Sequence, residues 1–278
     1  MESIKTTYSR LPGVLQATSR RYTWLPYAVL GLLALLVVSV VVMVGHSDKS
    51  LLKLSANSRA VIAPPRYVFV DLGANSGDSC LMFLQDPEAP EKFEFPTPEG
   101  KTHADAEIYL FEANPTFNTD LVDLKQKLKN RGININIYPS TPVWTESKLM
   151  TFHIDLRDRH AAGSSLNQNH PDLVRTGSRP VNLTSVAISQ WLLERFLPED
   201  FVIVKMDIET TEYNIVPHLA AMQAGKVIDL MFVEWHSWLM NGSDPLVGQS
   251  AEAVKLLEAQ GVKFPSYSTS SRKRKRTN

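Results

Sequence analysis

The segment Lys205-Met-Asp207-Ile-Glu209-Thr-Thr-Glu212 sets ionisable groups directly behind an apolar run, and Glu234-Trp-His236 repeats the arrangement further along the chain. If the first run is a strand, alternation puts Lys205, Asp207 and Glu209 on one side and Val204, Met206 and Ile208 on the other. Carboxylates beside an imidazole can take a proton from a hydroxyl as it reacts. His236 has the most suitable ordinary pKa, about 6.5, and Asp207 or Glu209 can serve directly or orient it. Residue order does not rank the three. The plainer alternative is a salt-bridged strand end with a satisfied histidine, and it weakens when several such groups converge on adjacent strand ends. Two carboxylates without further ligands at a defined spacing make a weak metal signature, and no metal is assigned.

A second cluster lies upstream. Asp71-Leu-Gly73-Ala-Asn75-Ser-Gly77-Asp78 follows a short apolar run and precedes a helical pattern. A strand, a glycine turn and a helix start together make a cofactor site, because glycine accepts unusual backbone angles and free N–H groups at the helix start favour a carboxylate or phosphate. Spacing Gly-x-Asn-x-Gly, with no third glycine at the GxGxxG position, counts against a dinucleotide and a nicotinamide-dependent reductase. The next apolar run ends in Glu112, where an acid in a Rossmann-type sheet bonds ribose hydroxyls. Together the loop and Glu112 predict an adenosine-containing cofactor.

The elements that must position these groups alternate between short apolar runs and helical patterns, as in βα units with a largely parallel sheet. Predicted strands are Tyr67–Asp71, Ile108–Glu112, Ile133–Tyr138, Phe201–Asp207 and Ile228–Glu234, several almost continuously apolar, as doubly covered strands are. Helices are expected over Ser79–Leu84, residues 116–130 and residues 249–260. Gln85–Ala106, with four prolines, reads as a surface insertion; Lys148–Asp155 reads as a strand beside the third one, and Val262–Tyr267 as a final edge strand.

Ahead of this domain, Tyr27–Val44 contains no charge. As a helix its length is roughly 27 Å, close to a hydrocarbon core of about 30 Å. Residues 27–45 are therefore expected to be a transmembrane signal anchor, after a cytosolic tail at 1–26 and before a stem at 46–66. Arg20 and Arg21 next to the span orient the body to the endoplasmic reticulum or Golgi lumen, and the sequons at Asn182 and Asn241 are compatible with that. The domain itself spans 67–268, and 269–278 is a basic disordered tail. With 29 basic and 29 acidic residues there is no electrostatic case for nucleic acid, and the single Cys80 excludes an intrachain disulfide.

Taken in order, Val70-Asp-Leu-Gly-Ala-Asn-Ser-Gly77, Phe111-Glu-Ala-Asn-Pro115, Gly163-Ser-Ser-Leu166, Val204-Lys-Met-Asp-Ile-Glu209 with Glu212, and Phe232-Val-Glu-Trp-His236 resemble the FkbM family of class I S-adenosylmethionine-dependent methyltransferases. The resemblance covers roughly residues 67–240. It implies a Rossmann-like methyltransferase sheet, mostly parallel with helices on both faces. It also implies S-adenosylmethionine as cofactor, with Asp71, Gly73, Asn75 and Gly77 holding its methionine part and Glu112 its ribose. Asp207 and Glu209 are placed in the acceptor pocket with His236 nearby, and the acceptor is a hydroxyl. For a lumenal domain, glycans or other small molecules are the expected partners. Where the family usually has Glu-Gly-x-Glu, this chain has Glu209-Thr210-Thr211-Glu212. That departure favours the rival from another class, a non-catalytic binding protein that keeps the fold.

Overall fold

The computed structural model describes residues 64–156 and 163–267. The expected membrane span, the stem up to residue 63 and the basic tail lie outside the described residues, among which no helix is long and apolar enough to cross a membrane.

From the first strand, β1 (Tyr67–Leu72), the chain enters α1 (Asp78–Phe83), then β2 (Glu107–Phe111), α2 (Asn118–Lys129) and β3 (Ile135–Tyr138). There follow β4 (Val143–Trp144), β5 (Leu149–Asp155), α3 (Pro171–Thr176), β6 (Ser178–Thr184), β7 (Val186–Ala187) and α4 (Ile188–Arg195). Next come β8 (Phe201–Met206), α5 (Glu212–Ala221), β9 (Leu230–Val233) and α6 (Pro245–Ala259). Five strands form a sheet in the order β3-β2-β1-β8-β9, with every neighbouring pair parallel. Strand order reverses at β1, so the carboxyl ends of β1 and β8 flank a topological switch point, where open α/β sheets bind ligands.

The near-continuous apolar runs are explained by cover on both faces. In β1 every residue is buried, and alternation sends Val68, Val70 and Leu72 to one face with Leu192, Ile215, Leu219 and Leu257. Tyr67 and Phe69 go to the other face with Phe83, Phe95, Leu121 and Leu128. Burial of this kind contributes roughly 1.5–3 kcal/mol for each large apolar side chain.

Three elements differ from expectation. The strand at Lys148–Asp155 does not lie beside β3; as β5 it pairs antiparallel with β6, from Leu149 opposite Thr184 to Asp155 opposite Ser178, in a separate two-stranded ribbon. Its alternation comes from one exposed face, which a place in the doubly covered sheet would not provide. Val262–Tyr267 forms no edge strand and makes one isolated bridge, Leu230 to Lys263, because Pro265 has no N–H to continue a ladder. Gln85–Ala106 is largely irregular, yet it is more than a surface insertion. Phe95 is buried against Phe69, Phe83 and Phe232, at ring-centroid distances of 5.4, 5.6 and 5.1 Å.

The N-terminal ends of β1 and β8 are clamped by charge. Asp200 accepts bonds from Arg66 N, Nε and Nη2 and from Leu197 N, and Phe201 N donates to Arg66 O at 2.8 Å. Burial pushes the Asp200 carboxyl up, but Arg66 and these N–H groups outweigh it and hold it below the ordinary carboxylate value. A depressed folded-state pKa adds stability above the unfolded value, lost as pH falls through the folded one. Asp200→Asn is therefore expected to cost about 2 kcal/mol at pH 7. The penalty should shrink as pH is taken below about 4. Urea unfolding across that pH range checks this; a penalty that does not vary with pH would refute the charge assignment.

Candidate active site

Gly73 and Gly77 are imposed by the protein's own packing. Gly73 has φ +93°, and a Cβ there would lie 2.0 Å from the Asp207 carbonyl oxygen, so the loop after β1 can cross the loop after β8 only without a side chain. At Gly77, φ +98°, a Cβ would lie 2.2 Å from Leu124 Cδ2 in α2. Asn75 is left-handed too, φ +51°, a conformation asparagine tolerates. The turn so formed points Asn75 N at Glu112 Oε2, 2.6 Å away, while Asn114 N bonds Glu112 Oε1, also at 2.6 Å. Both carboxylate oxygens are thereby fixed in orientation. Burial pushes the Glu112 carboxyl up to about 7, against the pull of those two N–H groups.

At the end of β8, the Lys205 ammonium is buried, 3.1 Å from Asp71 Oδ1, 2.9 Å from Gly73 O and 3.8 Å from Asp207 Oδ2. Burial alone would lower its pKa, but the Asp71 and Asp207 carboxylates outweigh that and raise it, so the ammonium stays charged. Ser79 Oγ donates to Asp71 Oδ2 at 2.5 Å.

The strand ends at Met206, so alternation carries only as far as Lys205; beyond it Glu209 and Thr210 are left-handed, φ +48° and +77°. This turn, and not the pleat, swings Glu209 back beside Asp207. From the end of β9, His236 meets them both: its Nε2 lies 3.5 Å from Asp207 Oδ1 and 3.4 Å from Glu209 Oε1. Its Nδ1 bonds Glu212 Oε1 at 2.6 Å, and that same oxygen accepts His236 N at 2.9 Å. Burial opposes a charge on the imidazole, but Glu209 and Glu212 prevail and push it up to about 11. Burial likewise opposes ionised Glu209, whose carboxyl is nevertheless held down to about 2 by His170 and His236.

His170, which sequence reasoning did not single out, bonds Glu209 Oε2 at 3.2 Å and is 3% exposed. It caps α3, its Nδ1 accepting from Asp172 N at 3.2 Å, so Nε2 carries the proton and donates to Glu209. Histidine before proline, at a helix start 39 residues from its partner, offers no local signal of such a role. Ser165 Oγ donates to Glu209 O at 3.1 Å, and Asn114 Nδ2 donates to Ser164 Oγ at 3.1 Å, which ties the Gly163-Ser-Ser-Leu166 segment to both clusters.

A cavity of about 160 Å³, partly open to solvent, joins the two clusters. Gly73, Asn75, Glu112, Asp207 and Glu209 line it, and Phe111, Phe117, Val143 and Phe152 give it apolar walls. Asp71, Gly77 and His236 do not line it: Asp71 is sealed under Lys205 and Ser79, Gly77 faces Leu124, and His236 stands behind the carboxylates.

A parallel sheet with a glycine turn, an oriented acid and a second acidic cluster around one cavity at its switch point is the arrangement in which open α/β domains hold small ligands. Residues 71–263 match the methyltransferase FkbM domain, more than half of the 278-residue chain, and the chain belongs to that methyltransferase family. No curated protein matches the sequence. Among solved structures, a short-chain dehydrogenase from Oenococcus oeni PSU-1 is similar at 12% identity, over 75% of this chain and 82% of that one, with a TM-score of 0.31. A likeness that remote carries no argument about fold or activity.

Thr210 is the strained point of the site, because a β-branched residue at φ +77° is an outlier. It occupies the position where the family usually has glycine. Left-handed non-glycine residues cost on the order of 1–3 kcal/mol, partly offset by the flexibility glycine adds to the unfolded chain. Thr210→Gly should raise stability by about 1 kcal/mol, or roughly 2–4 °C in Tm for a domain of this size. A lower Tm in calorimetry would show that the threonine is not strained.

Proposed function

We propose that this chain is an S-adenosylmethionine-dependent O-methyltransferase acting on a hydroxyl acceptor. The observation that carries the proposal is one cavity lined by Gly73, Asn75 and Glu112 together with Asp207 and Glu209. These residues fit the cofactor. Glu112 offers two carboxylate oxygens already oriented by backbone N–H groups, as a ribose diol requires, and the Asp207 and Glu209 carboxylates suit a cationic centre nearby.

When bound, S-adenosylmethionine would supply a methyl group activated by its sulfonium, and Gly73, Asn75 and Glu112 would hold it. The protein's part is mainly alignment, with a base for the departing hydroxyl proton. We take Asp207 as the acceptor of that proton, because the residue lines the cavity whereas His236 does not and has Nδ1 committed to Glu212. Glu212 and His236 act as positioning residues behind Asp207 and Glu209.

We further propose a glycan or other lumenal small molecule as acceptor and a body anchored in the endoplasmic reticulum or Golgi by residues 27–45. Asn182 and Asn241 are both exposed, which glycosylation needs. Endoglycosidase should shift the mobility of the full-length protein made in a secretory system; no shift would count against the lumenal placement.

Calorimetric titration of the full-length protein with S-adenosylmethionine tests the central claim. Binding is expected, and Glu112→Gln should weaken it by about 2 kcal/mol, or roughly 30-fold. Because the Glu112 carboxyl titrates near about 7, wild-type affinity should fall as pH drops below neutrality, and Glu112→Gln should abolish that dependence. A protein that folds but binds no S-adenosylmethionine would overturn the proposal.

A further inference from the structure

The surroundings of His236 are those of a cation ligand more than of a hydrogen-bonded imidazole. One face of the ring is fully committed, with Nδ1 at 2.6 Å from the buried Glu212 carboxylate. The opposite atom, Nε2, points between Asp207 Oδ1 and Glu209 Oε1 at 3.5 and 3.4 Å. Both are longer than a tight charge-assisted hydrogen bond of about 2.7–2.9 Å, so Nε2 is shared between two carboxylates and committed to neither. Carboxylate and imidazole atoms bound to one ion at about 2.0–2.2 Å stand roughly 3 Å apart when at right angles. One ligand atom from each of Asp207, Glu209 and His236 lies within 4.8 Å of the others, so small side-chain adjustments bring all three onto a single ion.

An outer layer of hydrogen bonds and one longer ion pair surrounds these groups. Glu212 holds the imidazole, His170 holds the outward oxygen of Glu209 at 3.2 Å, and Lys205 stands 3.8 Å from the outward oxygen of Asp207. Ligating histidines and carboxylates are held in just this way, the far ring nitrogen on a carboxylate. Charge gives an independent reason. Glu212 is wholly buried, and its Oε2 has no hydrogen-bond partner among the described residues. The cluster thus gathers the carboxylates of Asp207, Glu209 and Glu212 around one imidazole, with the Lys205 ammonium 3.8 Å from Asp207, and an ion bound at Nε2 takes the place of any proton there.

We propose that Asp207, Glu209 and His236 bind a divalent first-row transition ion, for which Mn2+ is the probe. A nitrogen ligand beside two carboxylates favours such an ion over Ca2+. The remaining coordination positions open toward the cavity that Asp207 and Glu209 line, where they would take a hydroxyl oxygen of the acceptor. This last role rests on the methyltransferase reading; the binding of the ion does not.

The full-length protein, stripped with a chelator, is titrated with MnCl2 while the electron paramagnetic resonance of free Mn2+ is followed. One ion per chain is expected, not displaced by equimolar Ca2+. Spin-echo modulation from a directly bonded 14N should identify His236 in the wild-type protein, without need of any variant. Asp207→Asn and Glu209→Gln should each weaken binding at least about tenfold, and Glu212→Gln, which removes only the support behind His236, about 10- to 100-fold. Thermal unfolding shows whether each variant is folded. Non-saturable binding, displacement by equimolar Ca2+, or a bound ion without 14N modulation would overturn the proposal. If S-adenosylmethionine binds and Mn2+ does not, the metal site falls and the methyltransferase reading stands. If Mn2+ binds and S-adenosylmethionine does not, the reverse holds.

Discussion

A charged ammonium with almost no access to water can persist only inside a cage of acceptors, and Lys205 sits in such a cage. Asp71 ends one strand, Gly73 O belongs to the turn after it, and Asp207 begins the loop after the neighbouring strand. Those contacts fix the separation and register of the two strand ends at the switch point. The rest of the site depends on that arrangement. Gly73 crosses Asp207 so closely that no side chain fits between them, and Gly73 N and Ala74 N reach back to Phe111 O at 3.0 and 2.9 Å. β1, β2 and β8 are therefore joined at their carboxyl ends by backbone and charge together. Asp71 and Lys205 lie outside the cavity, yet they decide where its walls stand.

Two of the three acidic residues lining the cavity, Glu112 and Glu209, are held by different means. Glu112 is oriented by backbone N–H groups of its own neighbourhood, and burial keeps its proton within reach of neutral pH. Glu209 is oriented by side chains from two other parts of the chain, His170 and His236, and stays ionised. Environment thus divides one residue type into an acid tuned near neutrality and a permanently charged one.

The parallel sheet was legible because strands covered on both faces write themselves as unbroken apolar runs; β1, β2, β3, β8 and β9 all fall within a few residues of where those runs predict. The convergence of Asp207, Glu209 and His236 was legible for a related reason, since parallel strands bring their following loops to one edge. Other features left no local trace. β6 carries Arg179, Pro180 and Asn182, which give no apolar strand pattern, and Pro180 is tolerated because a two-stranded ribbon leaves each strand one free edge. His170 matters through a contact 39 residues away, and the left-handed turn at Glu209–Thr210 has neither glycine nor asparagine to announce it. Phe95 looked like part of a polar insertion because a single aromatic residue among prolines has no periodicity, though it fills the core. The membrane anchor is a matter of composition alone and falls outside the described residues.

The ribbon of β5 and β6 supplies Phe152 to the cavity, and the segment between its strands supplies Ser164 and Leu166. Side-chain hydroxyls of that segment fasten it to Asn114 on one side and to the Glu209 carbonyl on the other. The same stretch of chain carries His170, which bonds Glu209 Oε2. A change there that reshapes the cavity wall therefore also bears on the hold on Glu209, so the shape of the cavity and the charge within it are tied to one segment and cannot diverge separately.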